Sequence, residues 1–138
     1  QFEQGFWYVL YVFIVVWSTD TGAYFAGCNL GKHKMSPLIS PKKSWEGFFG
    51  GLFFSILIIY GYTLLAPLDN GRSLLWITPF VSVVGQAGDL FESALKRSAR
   101  LKDSGQIIPG HGGILDRFDS TLWAAPLTYY LLILLARL

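Results

Sequence analysis

Phe48-Phe49-Gly50-Gly51-Leu52-Phe53-Phe54-Ser55-Ile56-Leu57-Ile58-Ile59-Tyr60-Gly61-Tyr62-Thr63-Leu64-Leu65-Ala66 carries no charged side chain. At ~1.5 Å per helical residue the run reaches about 30 Å, the thickness of a bilayer core, so it reads as a spanning helix. Leu74 to Gly88 is also uncharged and keeps helical character to about Arg97, and Ser120 to Ala136 is a further uncharged run. Gly5 to Gly31 holds Asp20 as its single charge and is expected to form a longer or broken membrane helix. The expected architecture is therefore all-α, a polytopic membrane bundle of about four transmembrane helices. Composition agrees: 52% hydrophobic, 17% aromatic and only 14% charged residues, with mean hydropathy +0.42. A soluble four-helix protein would need polar outer faces that these runs lack. The first run does not read as a cleaved signal peptide, since it carries an acid, Asp20, in its body. Cys28 stands alone, which excludes an internal disulfide. Gln1 in place of an initiator Met leads us to expect a piece of a longer chain.

Charge sets the expected orientation. Lys32, Lys34, Lys42 and Lys43 precede the second span, and Lys96, Arg97, Arg100, Lys102 and Arg117 lie between the third and fourth. Together they are nine of the eleven basic residues, and the positive-inside rule places both groups in the cytoplasm. One cytoplasm-facing polar cavity can thus be built from both. A net charge of +2 is too small to point to nucleic acid, whereas clustered Lys and Arg at a membrane face suit a nucleotide or anionic lipid headgroups.

The third span carries a polar stripe. Ser82, Gly85, Gln86, Asp89, Glu92, Ser93 and Lys96 follow spacings of three and four and share one helix face. Simple helix packing, with Asp89 or Glu92 paired to Lys96, would account for one pair. It does not account for the whole stripe. An ionised carboxylate at membrane depth costs at least ~2.5 kcal/mol, which favours a water-filled functional cavity.

Asp116 and Asp119 lie three apart at the start of the last span, on one helical face near its N-terminus. Capping or dipole effects, worth about 0.3–1 kcal/mol, explain either acid alone. Two such acids facing Asp89 resemble an oxygen-ligand site for Mg²⁺ and substrate phosphates. Zinc is disfavoured, because no Cys or second nearby His completes a set with His111. Pro109-Gly110-His111-Gly112-Gly113 should be a non-helical loop whose backbone N–H groups can cradle phosphate oxygens, although it is not the P-loop pattern. Ser40 is expected to cap the second span, with Pro41 at its first position. That would put Lys42 and Lys43 in a first turn whose dipole disfavours cations, so an anion should compensate. Asp20 lies inside a span with Tyr24 one turn on, and an intramembrane acid marks a candidate site.

The longest informative segment is Ser93-Ala-Leu-Lys-Arg-Ser-Ala-Arg-Leu-Lys-Asp-Ser-Gly-Gln-Ile-Ile-Pro-Gly-His-Gly-Gly-Ile-Leu-Asp-Arg-Phe-Asp119. With Asp20-Thr-Gly-Ala-Tyr24 and Ser40-Pro-Lys-Lys-Ser-Trp-Glu-Gly47, it resembles the signature of the phosphatidate cytidylyltransferases, the CDP-diacylglycerol synthases. The resemblance implies a single membrane catalytic domain over residues 1–138, corresponding to the C-terminal half of family members. It implies Mg²⁺-dependent reaction of CTP with phosphatidic acid to give CDP-diacylglycerol and pyrophosphate, in the inner (cytoplasmic) membrane or its equivalent. Carried onto this chain, Asp89, Asp116 and Asp119 would hold the metal, and Lys96, His111 and Asp20 would complete the catalytic set. Lys42, Lys43, Ser93, Arg97, Lys102, Gly112, Gly113 and Arg117 would bind substrate phosphates. A homodimer is compatible with the aromatic and glycine faces left over. Two other classes fit less well. A CDP-alcohol phosphotransferase lacks here its Asp-Gly-x-x-Ala-Arg opening, and a transporter using Asp20, Asp89 and Glu92 would place charge at the midplane between broken repeats.

Overall fold

The computed structural model describes residues 2–68, 71–101 and 115–137, without the side chains of residues 2, 3 and 115–117. Four long helices occur in the order α1 (Phe2–Leu30), α2 (Trp45–Leu65), α3 (Gly71–Ser98) and α4 (Leu115–Arg137). A small antiparallel hairpin, β1 (Lys34–Ser36) and β2 (Ser40–Ser44), separates α1 from α2. Each helix contains a stretch long and apolar enough to cross a membrane, from 20 to 28 residues. The first is continuous rather than broken. Pro79 and Pro126 lie inside α3 and α4 without ending them, as membrane helices permit.

The burial pattern is inverted relative to a protein in water. Phe53, Leu57, Trp76, Phe80, Phe91, Leu95 and Leu122 all face outward, while Ser18, Thr19, Ser55, Thr78, Ser82, Ser120 and Thr128 are buried. Lipid solvates the outer residues as well as a core would, so apolar burial cannot be what joins these helices. Close approach and hydroxyl bonds join them instead. On α1 and α2, Gly22, Gly47 and Gly51 let the backbones touch. A Cβ on Gly51 would stand 2.6 Å from the Thr19 carbonyl oxygen, and one on Gly47 2.8 Å from that of Ala23. Thr19 Oγ1 and Ser82 Oγ bond at 2.9 Å, tying α1 to α3, and Tyr11 Oη meets Thr78 Oγ1 at 3.0 Å one end further along. Tyr62 Oη donates to the Trp7 carbonyl at 2.6 Å. The apolar core, Tyr11, Val15, Ile59, Leu74, Ile77 and Val81, lies toward that end of the bundle. The opposite end is left to the polar residues.

The start of α2 differs from expectation. Ser40 does not cap it and Pro41 is not its first residue: both belong to β2. The cap is Ser44, extended at φ −128° and ψ 158°, whose Oγ accepts the Gly47 N–H at 3.1 Å. Ser36 to Ile39 forms a turn, with the Ile39 N–H donating to the Ser36 carbonyl at 3.2 Å and Pro37 in its second position. This turn folds the chain back four residues earlier than a helix from Pro41 would allow. Lys42 and Lys43 therefore sit on a strand, and the supposed conflict with the α2 dipole does not arise.

Candidate active site

Asp20 from α1, Lys42 and Lys43 from β2, Gly47 from α2, and Gln86 and Asp89 from α3 line one cavity of about 260 Å³. Tyr24, Met35, Ser44 and Phe48 complete its wall. The antiparallel course of the helices brings these pieces together: α1 ends, α2 begins and α3 ends on the same side of the bundle. Among the described residues, Lys42 and Lys43 are the basic side chains that line the cavity, while Lys96 and Arg97 lie at the same end of the bundle.

Lys43 Nζ is paired with Asp89 Oδ2 across the cavity. The two side chains are 26% and 32% exposed, so the pair is partly shielded from water and retains charge-assisted strength. Asp119, in the second turn of α4, brings its carboxyl within hydrogen-bonding reach of Asp89, and Glu92 flanks it. Asp119 Oδ1 also accepts the Ser120 N–H at 2.6 Å. Glu92 is buried, both of its oxygens lack a hydrogen-bond partner, and Lys96 Nζ stands 3.6 Å from Oε1. The i,i+4 pair on α3 is thus Glu92 with Lys96. Asp89 turns instead to β2 and α4.

The polar stripe of α3 divides in two. Its deeper half packs: Ser82 bonds Thr19, Gly85 lies against Ser120, and Gln86 Nε2 donates to the Phe48 carbonyl at 3.4 Å. Its outer half, Asp89, Glu92 and Lys96, holds the charges. Ser93 is half-buried beside them, and Arg97 is exposed with Nε 3.5 Å from the Ile39 carbonyl at the hairpin tip. Asp20 and Tyr24 border the same cavity, Tyr24 being 68% exposed. Asp116 and Arg117 occupy the first turn of α4, consistent with their expected place, but their side chains lie outside the described residues. Lys102, His111, Gly112 and Gly113 also lie outside them.

Several residues at this end escaped the sequence reading. Met35, Ser44 and Phe48 line the cavity because the hairpin folds over it, and His33 is bonded to Glu46. Pro37 within Ser36-Pro37-Leu38-Ile39 was the local signal for the turn that creates this arrangement.

Among the described residues around the cavity, the acidic donors available for a metal are the carboxyl oxygens of Asp20, Asp89 and Asp119. Asp89 and Asp119 bring two carboxyl groups close together, and Mg²⁺ is a cation that takes one or two carboxylates and fills its other positions with water and phosphate. Among the described residues no three His, Cys, Asp or Glu side chains are grouped so that they could hold a metal ion by themselves.

Over residues 1–135 the chain matches the profile of the "Cytidylyltransferase family". It is 53% identical over 133 residues to the phosphatidate cytidylyltransferase of Bacillus subtilis strain 168, covering 96% of this chain and 49% of that protein. The phosphatidate cytidylyltransferase of Staphylococcus aureus strain COL is 51% identical over 132 residues, 95% of this chain and 51% of its own. That of Staphylococcus epidermidis strain ATCC 12228 is 52% identical with the same coverage. The chain spans about half the length of these curated relatives. Four membrane-crossing helices, a charged cavity at one end of them and a match along nearly the whole sequence agree: this integral membrane protein belongs to the cytidylyltransferase family.

Proposed function

We propose that the protein transfers a cytidylyl group from CTP to phosphatidic acid, releasing pyrophosphate and forming CDP-diacylglycerol. A phosphate oxygen of the lipid attacks the α-phosphorus of CTP. The new P–O bond forms as the bond from the α-phosphorus to the bridging oxygen breaks, and that oxygen leaves with pyrophosphate. No protein nucleophile is needed, so catalysis consists of positioning and charge neutralisation.

The observation that carries this proposal is the meeting of Lys43, Asp89, Asp119 and Asp20 from four separate elements at one end of a membrane bundle. Mg²⁺, held by Asp89 and Asp119 with Asp116, would neutralise phosphate oxygens and the leaving group. Lys43 and Lys42 on β2, with Lys96 and Arg97 at the end of α3, supply fixed positive charge for the triphosphate and lipid headgroup. A charged cavity at the end of apolar helices would lie near the lipid headgroups, within reach of a phosphate on a diacyl lipid. The segment bearing Lys102, His111, Gly112 and Gly113, with Arg117 after it, would supply further phosphate contacts. We place the basic end in the cytoplasm, at the inner membrane or its equivalent, where CTP is available. A homodimer belongs to the same proposal: Gly5 has open space where a Cβ would stand, and the outward aromatic side chains leave faces for a second copy.

Membranes carrying the whole protein, incubated with labelled CTP and phosphatidic acid, should yield labelled CDP-diacylglycerol that disappears on chelation of Mg²⁺. Absence of labelled lipid with Mg²⁺ present would refute the proposal. Lys43→Ala is expected to raise the CTP or lipid KM roughly tenfold or more, from the loss of a charge-assisted contact. Unchanged kinetics in that variant would reduce Lys42-Lys43 to interfacial anchoring.

A further inference from the structure

Glu46 and His33 do not line the cavity, yet they hold the element that reaches into it. His33 lies in the connection between α1 and β1, and Glu46 in the first turn of α2. The His33 N–H donates to both Glu46 carboxylate oxygens at 3.2 Å, and His33 Nδ1 stands 2.6 Å from Oε1. An ionised carboxylate can only accept, so Nδ1 carries the proton. The Trp45 N–H donates to the His33 carbonyl at 3.0 Å. These bonds close the base of the hairpin.

Apart from the buried Ser44 cap and the Lys43–Asp89 pair at the end of β2, little else fixes that hairpin. Its strands pair at Lys34 with Ser44 and at Ser36 with Ser40, with an irregularity between, and an isolated two-stranded ribbon is marginal in water. At its tip the Arg97 contact to Ile39 is 3.5 Å, too long to be strong. Lys43 lies two residues before Trp45, so its backbone direction is set from the base. A displacement of about 1 Å at a reacting group can cost 10²-fold in rate, which makes the orientation of β2 consequential.

We propose that His33 and Glu46 form a clamp that positions Lys43 on Asp89 and thereby tunes CTP binding, an inference that rests on the transfer reaction proposed above. His33 is 79% exposed in its side chain and Glu46 25%, and neither touches the cavity, so both are positioning residues acting through Lys43. Glu46 is the centre of the clamp because its two oxygens take both the backbone and the ring of His33. His33 supplies the donors, and an Asn in its place would keep a side-chain N–H to offer.

The test reads Lys43 directly. Whole protein in membranes, without substrate or metal, is treated with a small water-soluble acylating reagent, and modification of each lysine is followed by mass spectrometry. Loss of charge-assisted bonds at the base should make Lys43 react about tenfold faster in Glu46→Gln and in His33→Ala, with Lys96 unchanged and His33→Asn close to the parent protein. In turnover, Glu46→Gln should raise the CTP KM about tenfold with kcat changed less than about threefold, and should add nothing further in a Lys43→Ala background. Unchanged Lys43 reactivity in both clamp variants would overturn the proposal. So would a joint rise at Lys43 and Lys96, which reports general loosening, or full additivity with Lys43→Ala. Because the labelling needs no turnover, lack of CTP-dependent activity in the parent protein would remove the proposed reaction and leave the clamp to be judged on lysine reactivity.

Discussion

Asp89→Asn is expected to lower CTP-dependent lipid product by about two to three orders of magnitude, the loss typical when one preorganised electrostatic group is removed from a transition state. Asparagine keeps the size and one carbonyl acceptor but not the charge. Asp89 is the residue at which the separate elements converge: Lys43 of β2 pairs with it, and Asp119 of α4 lies within hydrogen-bonding reach. Neutralising it removes a carboxylate from the proposed metal site and frees Lys43 from its partner. The fold should survive, because the Lys43–Asp89 pair lies at the cavity and is separate from the close α1–α2 contacts and hydroxyl bonds that join the helices. Retention of a monodisperse folded species in detergent, alongside the loss of labelled lipid, separates the two effects. Asp116→Asn should behave similarly, and near-normal turnover in both variants would remove the metal assignment.

The largest effect on stability is expected from Gly51→Val. A Cβ at Gly51 would stand 2.6 Å from the Thr19 carbonyl oxygen and 3.1 Å from Ala23 Cβ, and the first of these is helix backbone that cannot rotate away. The two helices would have to separate, costing about 3 kcal/mol or more, at the upper end of overpacking effects. Function should fall with stability, because α1 carries Asp20 and α2 follows directly from the strand of Lys43. Denaturant titration in mixed micelles measures the change. Gly61→Val is the internal comparison: it lies on the same helix with nothing within 4 Å of its missing Cβ, and its effect should stay within about 0.5 kcal/mol. Equal destabilisation by both substitutions would show that helix backbone chemistry, not the α1–α2 contact, sets the cost.

The helices themselves were legible because membrane insertion is a local property: an uncharged run of the right length must satisfy its backbone internally wherever it lies. Trp45–Leu65 begins three residues before the expected span and ends one residue short of it, and α1 proved longer and unbroken. The hairpin was missed because a turn signal at Ser36-Pro37 competed with a plausible helix start at Ser40-Pro41. Both obey the same local rules, and the decision came from His33 and Glu46, thirteen positions apart, bonding across the base.

The candidate acids divide along the same line. Asp89, Asp119 and Asp20 were identifiable as costly charges in apolar surroundings, and Glu92 belonged visibly to the same face. Periodicity could place them on one side of a helix but could not choose their partners. Lys96 stands beside Glu92, one turn away on the same helix, while Lys43 arrives on a strand to pair with Asp89. Likewise Ser82 and Gln86 looked like part of a reactive stripe and are used to join α3 to α1 and α2.

By itself, then, the sequence determined four membrane-crossing helices, the gathering of basic residues at one end, and membership of a lipid-nucleotide enzyme family through its ordered motifs. Those depend on hydrophobicity, charge and local spacing, which act on each segment independently. Tertiary structure alone decided that Lys43 meets Asp89, that Asp119 approaches it, and that a hairpin rather than a helix turn presents the lysines. Such choices follow from which backbones can approach closely and which hydroxyl and carboxyl groups then find partners, and both are properties of pairs of elements.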